Sequence, residues 1–352
     1  MKIIERGLST IDLVTIMNEI INLPFSEILG KLNRILQTKG FLKSKAENCA
    51  WLFAQASLDG VPSHGLNRFP VFLEMIEKGI VNTDAEPEML HKALMFEQWN
   101  GNLGPGPLNA QFAMLRAIQL AKEFGIGVVA LQNTNHWMRA GNYGLQATEA
   151  GCIGICFTNT KPNLPAWGGA EPKLGNNPLV IAIPRREGPI LLDMAMSQYS
   201  YGKLNIFRSK GAKMPHEAGF DNEGSLSKDP ATIIGNELAL PIGLWKGSGL
   251  SLVLDMLASI LSGGNAVCQV GEKGEEFSLS QIFICLSPEK LGMSELSENK
   301  LEMIIDDLHS SKVFGDEKIR FPGENLMKIR QKHMKEGVPV DKLIWDKINS
   351  FS

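Results

Sequence analysis

Strand and helix signals alternate along the middle of the chain, yet no strand-to-helix turn carries the G-x-G-x-x-G fingerprint. Alternation of this kind forces layers, because an apolar strand buries both faces only when helices cover them. The missing glycine pattern removes the commonest dinucleotide-binding version of such a fold, so a Rossmann domain is unsupported. Helical spacing runs over 109–124 and stops at Gly125, and 126–131 reads as a strand. A short loop with Asn135 and His136 leads to a helix over 142–150, ended by Gly151, and 152–158 reads as the next strand. Two more strands, 179–183 and 190–194, flank a Pro-Arg-Arg-Glu-Gly turn.

Either side of this stretch the periodicity is helical. Phe25, Ile28, Leu29, Leu32, Ile35 and Leu36 share a helix face, with Gly40 as the stop. Ser44 and Glu47 read as a capping box opening a second helix, and a third covers 71–78, ending at Gly79. The polar, glycine-bearing loop 60–69 between them suits a site more than a core. From about Lys246 the chain is helical through Leu261, followed by a strand over 281–286 and a charged helical C-terminal region. The expected division is an N-terminal extension over 1–24, a largely helical domain from 25–78 and 235–352, and an α/β domain over 79–234.

With 352 residues, 44% of them hydrophobic, the chain is long enough for a large core and two domains. The 35 basic residues against 38 acidic ones form no basic run, which argues against nucleic acid as a partner. Five cysteines, Cys49, Cys152, Cys156, Cys268 and Cys285, are scattered through apolar segments and read as buried free thiols. Glu5, Asp12 and Glu19 interrupt any signal-peptide core, and Lys246 and Asp255 break the most apolar stretch, so no membrane span and a cytoplasmic location are expected.

Four places could carry chemistry. In Ser63-His64-Gly65-Leu66-Asn67-Arg68, the imidazole exchanges protons near neutral pH and the guanidinium offers a planar fork to a carboxylate. Ser63 could bond the same ligand. A solvated turn between helices has the same composition. Asn135-His136-Trp137-Met138-Arg139 lies between a strand end and a helix start, where α/β domains hold ligands, and a histidine packed under Trp137 fits equally. Trp245-Lys246-Gly247-Ser248-Gly249 opens an apolar helix whose free amides suit phosphate, although a bare G-x-G is weak. Asp193, on an apolar strand, must be hydrogen-bonded or paired: it orients a histidine, meets cofactor hydroxyls or ties two loops. No H-E-x-x-H or other tight ligand spacing points to a metal, so no metal site is expected.

Six segments, PSHGLNRF, NHWMRAGNYG, PAWGGAEPKLGNNPLVIAIP, LLDMAMSQYSYGKL, GFDNEGSLSKDP and LWKGSGLSLVLDMLASILSGG, resemble the malate/L-lactate dehydrogenase-type oxidoreductases, in order, from about Phe25 to Ile348. The resemblance implies a mixed β-sheet with flanking helices plus a helical domain, α/β with α+β character and not a Rossmann fold. It implies a homodimer that reduces the carbonyl of an α-keto acid with NADH, NADPH not being excluded. Trp-Met-Arg after the second histidine and the Met-Ser-x-x-Ser-Tyr-Gly stretch favour a branch acting on a sugar-derived diketo acid. His64 then matches the proton donor, His136 a second acid/base histidine, and Ser63, Arg68 and Arg139 substrate positions. The cofactor would lie along Pro189, Ile190, Leu191, Leu192, Asp193, Met194 and Ala195, at Trp245 and Lys246, and at Gly323, Glu324 and Asn325. An imidazole with a pKa near its ordinary value of about 6.5 suits the proton transfer.

Overall fold

The computed structural model describes residues 19–316 and 318–351. Seven strands build one sheet in the order Glu88–Ala93, Phe96–Asn100, Ile126–Thr134, Leu279–Leu286, Ile153–Thr158, Leu179–Ile183, Ile190–Met194. Phe96–Asn100 and Ile126–Thr134 run parallel, and the other neighbouring pairs of this sheet are antiparallel. The sheet is therefore mixed, and the architecture is not Rossmann. Its middle strand, Leu279–Leu286, shows why the run is apolar throughout. Side chains alternate, so Phe283 and Cys285 join the core under the helices Gly106–Phe124 and Gly141–Glu149, while Ile282 joins the core under Trp245–Ser262. A strand covered on both faces has no polar side to show.

A second core belongs to the helices. Phe25–Thr38, Lys43–Leu58, Phe69–Glu77 and Lys342–Asn349 bury Ile28, Leu32, Phe53, Phe72, Trp345 and Ile348 together. Full burial of each such side chain stabilises by about 1.5–3 kcal/mol. Ile20–Leu23 pairs antiparallel with Val338–Asp341 beside this core. Those four residues fall in the expected N-terminal extension, whose first eighteen positions lie outside the described residues.

Two sequence expectations change, and one hairpin goes unmarked in the sequence. Ser44 caps nothing: the second helix starts at Lys43 with Leu42 as its N-cap and no side-chain cap. Phe41 and Ala46, before the cap and in the first turn, are both buried in the helical core, and that apolar clamp sets the helix entry. Cys268 is exposed, whereas Cys49, Cys152, Cys156 and Cys285 are buried free thiols. The hairpin Glu88–Ala93 with Phe96–Asn100 gave no alternating signal, because the edge strand Glu88–Ala93 is exposed along its whole length. Among the described residues no helix is long and apolar enough to cross a membrane.

Candidate active site

The loop 60–69 folds as two single turns of 3-10 helix, Pro62–His64 and Leu66–Arg68. Gly65 joins them because nothing larger fits: a Cβ there would lie 2.4 Å from Ser57 Oγ and 2.9 Å from the Phe53 carbonyl oxygen. The Leu66 amide donates to Ser57 Oγ at 2.9 Å. With Leu66 and Phe69 buried in the helical core, Ser63, His64 and Arg68 remain half-buried on the other side. Ser63 Oγ lies 3.2 Å from His64 Nδ1. Among the described residues Arg68 has no carboxylate within ion-pair distance.

The second histidine is held from two directions at once. Trp137 enters the sheet core and Met138 the helical core, with Met138 at a φ of 63°. Such a left-handed backbone costs energy in a non-glycine residue and persists only where packing dictates it. The Tyr143 hydroxyl donates to the Trp137 carbonyl at 2.5 Å, and Asn135 Nδ2 donates to the Leu103 and Gly104 carbonyls at 2.8 and 3.0 Å. A Cβ on Gly106 would sit 2.2 Å from the His136 carbonyl oxygen, so the loop lies directly on the start of the Gly106–Phe124 helix. His136 is thereby fixed at the seam between the two cores.

The two imidazoles stack, with centroids 6.1 Å apart and planes 14° from parallel. His136 Nδ1 accepts from the Met138 amide at 2.9 Å, which leaves its proton on Nε2, 3.8 Å from Glu276 Oε1. Arg68, His136, Phe72 and Glu276 share the wall of a cleft of about 90 Å³, with Lys78 and Glu275 beside them. Burial, with Arg68 and Arg139 adding repulsion, pushes His64 down to about 4. Burial, Arg68 and His64 hold His136 well below its ordinary value. The expectation of an unperturbed imidazole is therefore corrected: burial first, and the Arg68 guanidinium second, favour the neutral form of both rings in the free protein.

Arg139 is not open to the cleft. Its Nη1 pairs with buried Asp59 and bonds Asn142 Oδ1 at 3.2 Å, while Arg330 grips the same carboxylate at 2.6 and 2.8 Å. What Arg139 offers a ligand from there is charge, not a fork. Asp193 Oδ2 accepts from the Gly141 amide at 2.9 Å, tying the Ile190–Met194 strand to the next layer's helix start. Burial raises its carboxyl, opposed by Arg139 and that amide.

The expected cofactor segments converge along one strand. Gly323 meets its beginning, where a Cβ would lie 2.9 Å from the Leu191 nitrogen, and the Leu191 amide donates to the Pro322 carbonyl at 2.9 Å. Beyond its end, the Ile242 amide donates to the Met196 carbonyl at 2.8 Å, bringing Trp245 and Lys246 to that side. Five residues of strand span about 16 Å, enough for an extended ligand. Glu324 Oε2 is buried without a hydrogen-bond partner among the described residues, and its Oε1 lies 3.5 Å from His309 Nε2. The residues present fit a nicotinamide dinucleotide. Sequence reading missed Glu276, one acid in a charged loop over 272–276, and the Asp59–Arg330 pair, whose members are 271 residues apart. Neither leaves a local pattern.

A family model described as malate/L-lactate dehydrogenase matches residues 23–349. The chain is 44% identical over 330 residues to a 2,3-diketo-L-gulonate reductase of Pasteurella multocida, covering 93% of this chain and 99% of that one. It is 43% identical over 331 residues to the enzyme of the same name from Citrobacter koseri, with the same coverage. The fold is similar to the crystal structure of malate dehydrogenase from Entamoeba histolytica, with a TM-score of 0.90, 28% identity, and 95% and 98% of the two chains covered. It is also similar to sulfolactate dehydrogenase from Methanocaldococcus jannaschii, with a TM-score of 0.86, 30% identity, and 94% and 96% covered.

Proposed function

Because the chain belongs to the malate/L-lactate dehydrogenase family, and is thus an oxidoreductase that uses a nicotinamide cofactor on a small keto acid, we propose that it reduces 2,3-diketo-L-gulonate with NADH. The observation that carries this reading is Arg68, a half-buried guanidinium without a carboxylate partner among the described residues, beside two stacked imidazoles. Its fork takes the substrate carboxylate in two parallel hydrogen bonds, which fixes the face that the carbonyl presents. Ser63 adds a hydroxyl at the same end. When bound, the nicotinamide supplies the hydride. Pro189 to Ala195, Trp245 with Lys246, and Gly323 to Asn325 are the residues that hold it. The Glu324 carboxylate accepts from a ribose hydroxyl and repels a 2′-phosphate, which favours NADH over NADPH.

His64 gives the proton to the oxygen that becomes the alcohol. Its Nε2 carries no hydrogen bond among the described residues, whereas Nε2 of His136 faces the Glu276 carboxylate at 3.8 Å. Burial is the main reason His64 is neutral and Arg68 the next; a substrate carboxylate on Arg68 offsets the second of these and so favours the protonated acid when a substrate is present. His136, close enough to His64 that the two cannot both hold a charge easily, orients the carbonyl. We further propose a homodimer as the working form.

The test is direct. Purified protein is mixed with NADH or NADPH and a panel of α-keto acids, with and without EDTA, and absorbance is followed. Fastest EDTA-insensitive NADH oxidation with 2,3-diketo-L-gulonate supports the reading. No oxidation with any keto acid overturns it.

A further inference from the structure

The cleft that holds Arg68 also holds a carboxylate the family reading does not use. Glu276 Oε1 is 3.8 Å from His136 Nε2, its side chain is 16% exposed, and Oε2 accepts from the Lys161 amide at 3.2 Å. It does not pair with Arg68, although the two groups line the same small space. Glu275, beside it, pairs with Lys78 at 2.5 Å and Glu74 with Lys347 at 2.9 Å, so among the described residues Glu276 is the acid on that wall with no lysine or arginine side-chain partner. A carboxylate offers about four acceptor sites, and one backbone amide fills one of them. The rest suit donors.

We propose that Glu276 sets substrate specificity: it accepts hydrogen bonds from hydroxyl groups on the tail of the keto acid and repels a second carboxylate. This rests on the reductase reading above and deepens it. Arg68 takes the single carboxylate, the imidazoles face the carbonyl, and Glu276 reads the carbons beyond the carbonyl. A polyhydroxylated monocarboxylate satisfies all three. A dicarboxylate such as oxaloacetate brings like charge to a poorly hydrated wall, where repulsion is strong. A plain chain such as that of pyruvate leaves Glu276 unsatisfied.

The experiment compares wild type with Glu276→Gln, which keeps the shape and the acceptor for Lys161, using 2,3-diketo-L-gulonate, hydroxypyruvate, pyruvate and oxaloacetate. In the variant, kcat/KM for the two hydroxylated acids should fall about tenfold and that for oxaloacetate should rise about tenfold, with pyruvate nearly constant. Selectivity thus changes about 100-fold while NADH affinity and the melting temperature hold. A parallel loss for all four acids would make Glu276 a holder of His136 and overturn the assignment, as would unchanged selectivity. Equilibrium binding of the same acids to the enzyme with NAD separates this from the reductase reading. Charge-selective binding without turnover removes the reductase and keeps Glu276; turnover without selectivity does the reverse.

Discussion

Arg68 carries a charge that no side chain in the described structure answers, and the consequences are measurable. Arg68→Lys keeps the charge and loses the fork, so KM for keto acids should rise at least about tenfold while NADH affinity stays constant; steady-state kinetics and a direct NADH titration check both halves. His64→Gln should lower kcat by about 10²- to 10⁴-fold and abolish the alkaline fall in kcat caused by loss of the acid's proton. His136→Gln should lower kcat/KM and keep that limb. If the limb vanishes only with His136, the roles are exchanged. The free protein has its own pH signature. An unfolded histidine takes up its proton near 6.5 and native His64 only near about 4, so the unfolded state binds more protons between those values. Stability from this source is full above about pH 6.5, falls as pH drops toward 4, and falls no further below. Melting curves should show a shallower acid loss for His64→Gln.

At the level of elements, the seam between the cores decides the site. Asp59 ends the second helix and holds buried Arg139 and half-buried Arg330 together. Asp59→Asn strands buried guanidinium charge and should destabilise by about 3–5 kcal/mol, read as a lowered denaturant midpoint, with activity lost early because Arg139 adjoins the His136 loop. Much of this was legible in the chain itself. The strands Leu179–Ile183 and Ile190–Met194 were marked by apolar runs around a Pro-Gly turn, and most helix ends by glycines such as Gly125 and Gly151, both at positive φ. His64 and His136 stood out because each sits in a polar loop beside an arginine three or four residues on. What stayed hidden depends on pairing across distance. The edge hairpin had no buried face to alternate, and Glu276 reaches the cleft only because the loop before Leu279–Leu286 folds back over His136. Nothing local to residue 276 records that.

For the whole molecule, an exposed apolar helix face among the described residues bears on assembly. Val253, Met256, Leu257 and Ile260, spaced three and four apart, form an exposed apolar stripe on the Trp245–Ser262 helix, whose other side is buried by Leu254 and Ala258. Such a stripe beside Trp245 and Lys246 suits a second copy of the chain. Sedimentation should give a dimer, and Met256→Glu with Ile260→Glu should give monomers with weakened activity; a fully active monomeric wild type would sink the proposal. The pairing of Ile20–Leu23 with Val338–Asp341 sets a different limit, one of time. The two strands lie about 320 residues apart, and a ribosome adding about 5–20 residues per second needs roughly 15 to 60 seconds to reach the second. Arg330, which shares Asp59 with Arg139, arrives almost as late. Throughout that interval the nascent helical layer has an unpaired strand and a buried acid short of one of its two cations, even though His64 and His136 were made long before. The loop 60–69, with Ser63, His64 and Arg68, is therefore among the first parts to be synthesised and among the last to become rigid, and a chain stalled near its end should be caught there by proteases and chaperones.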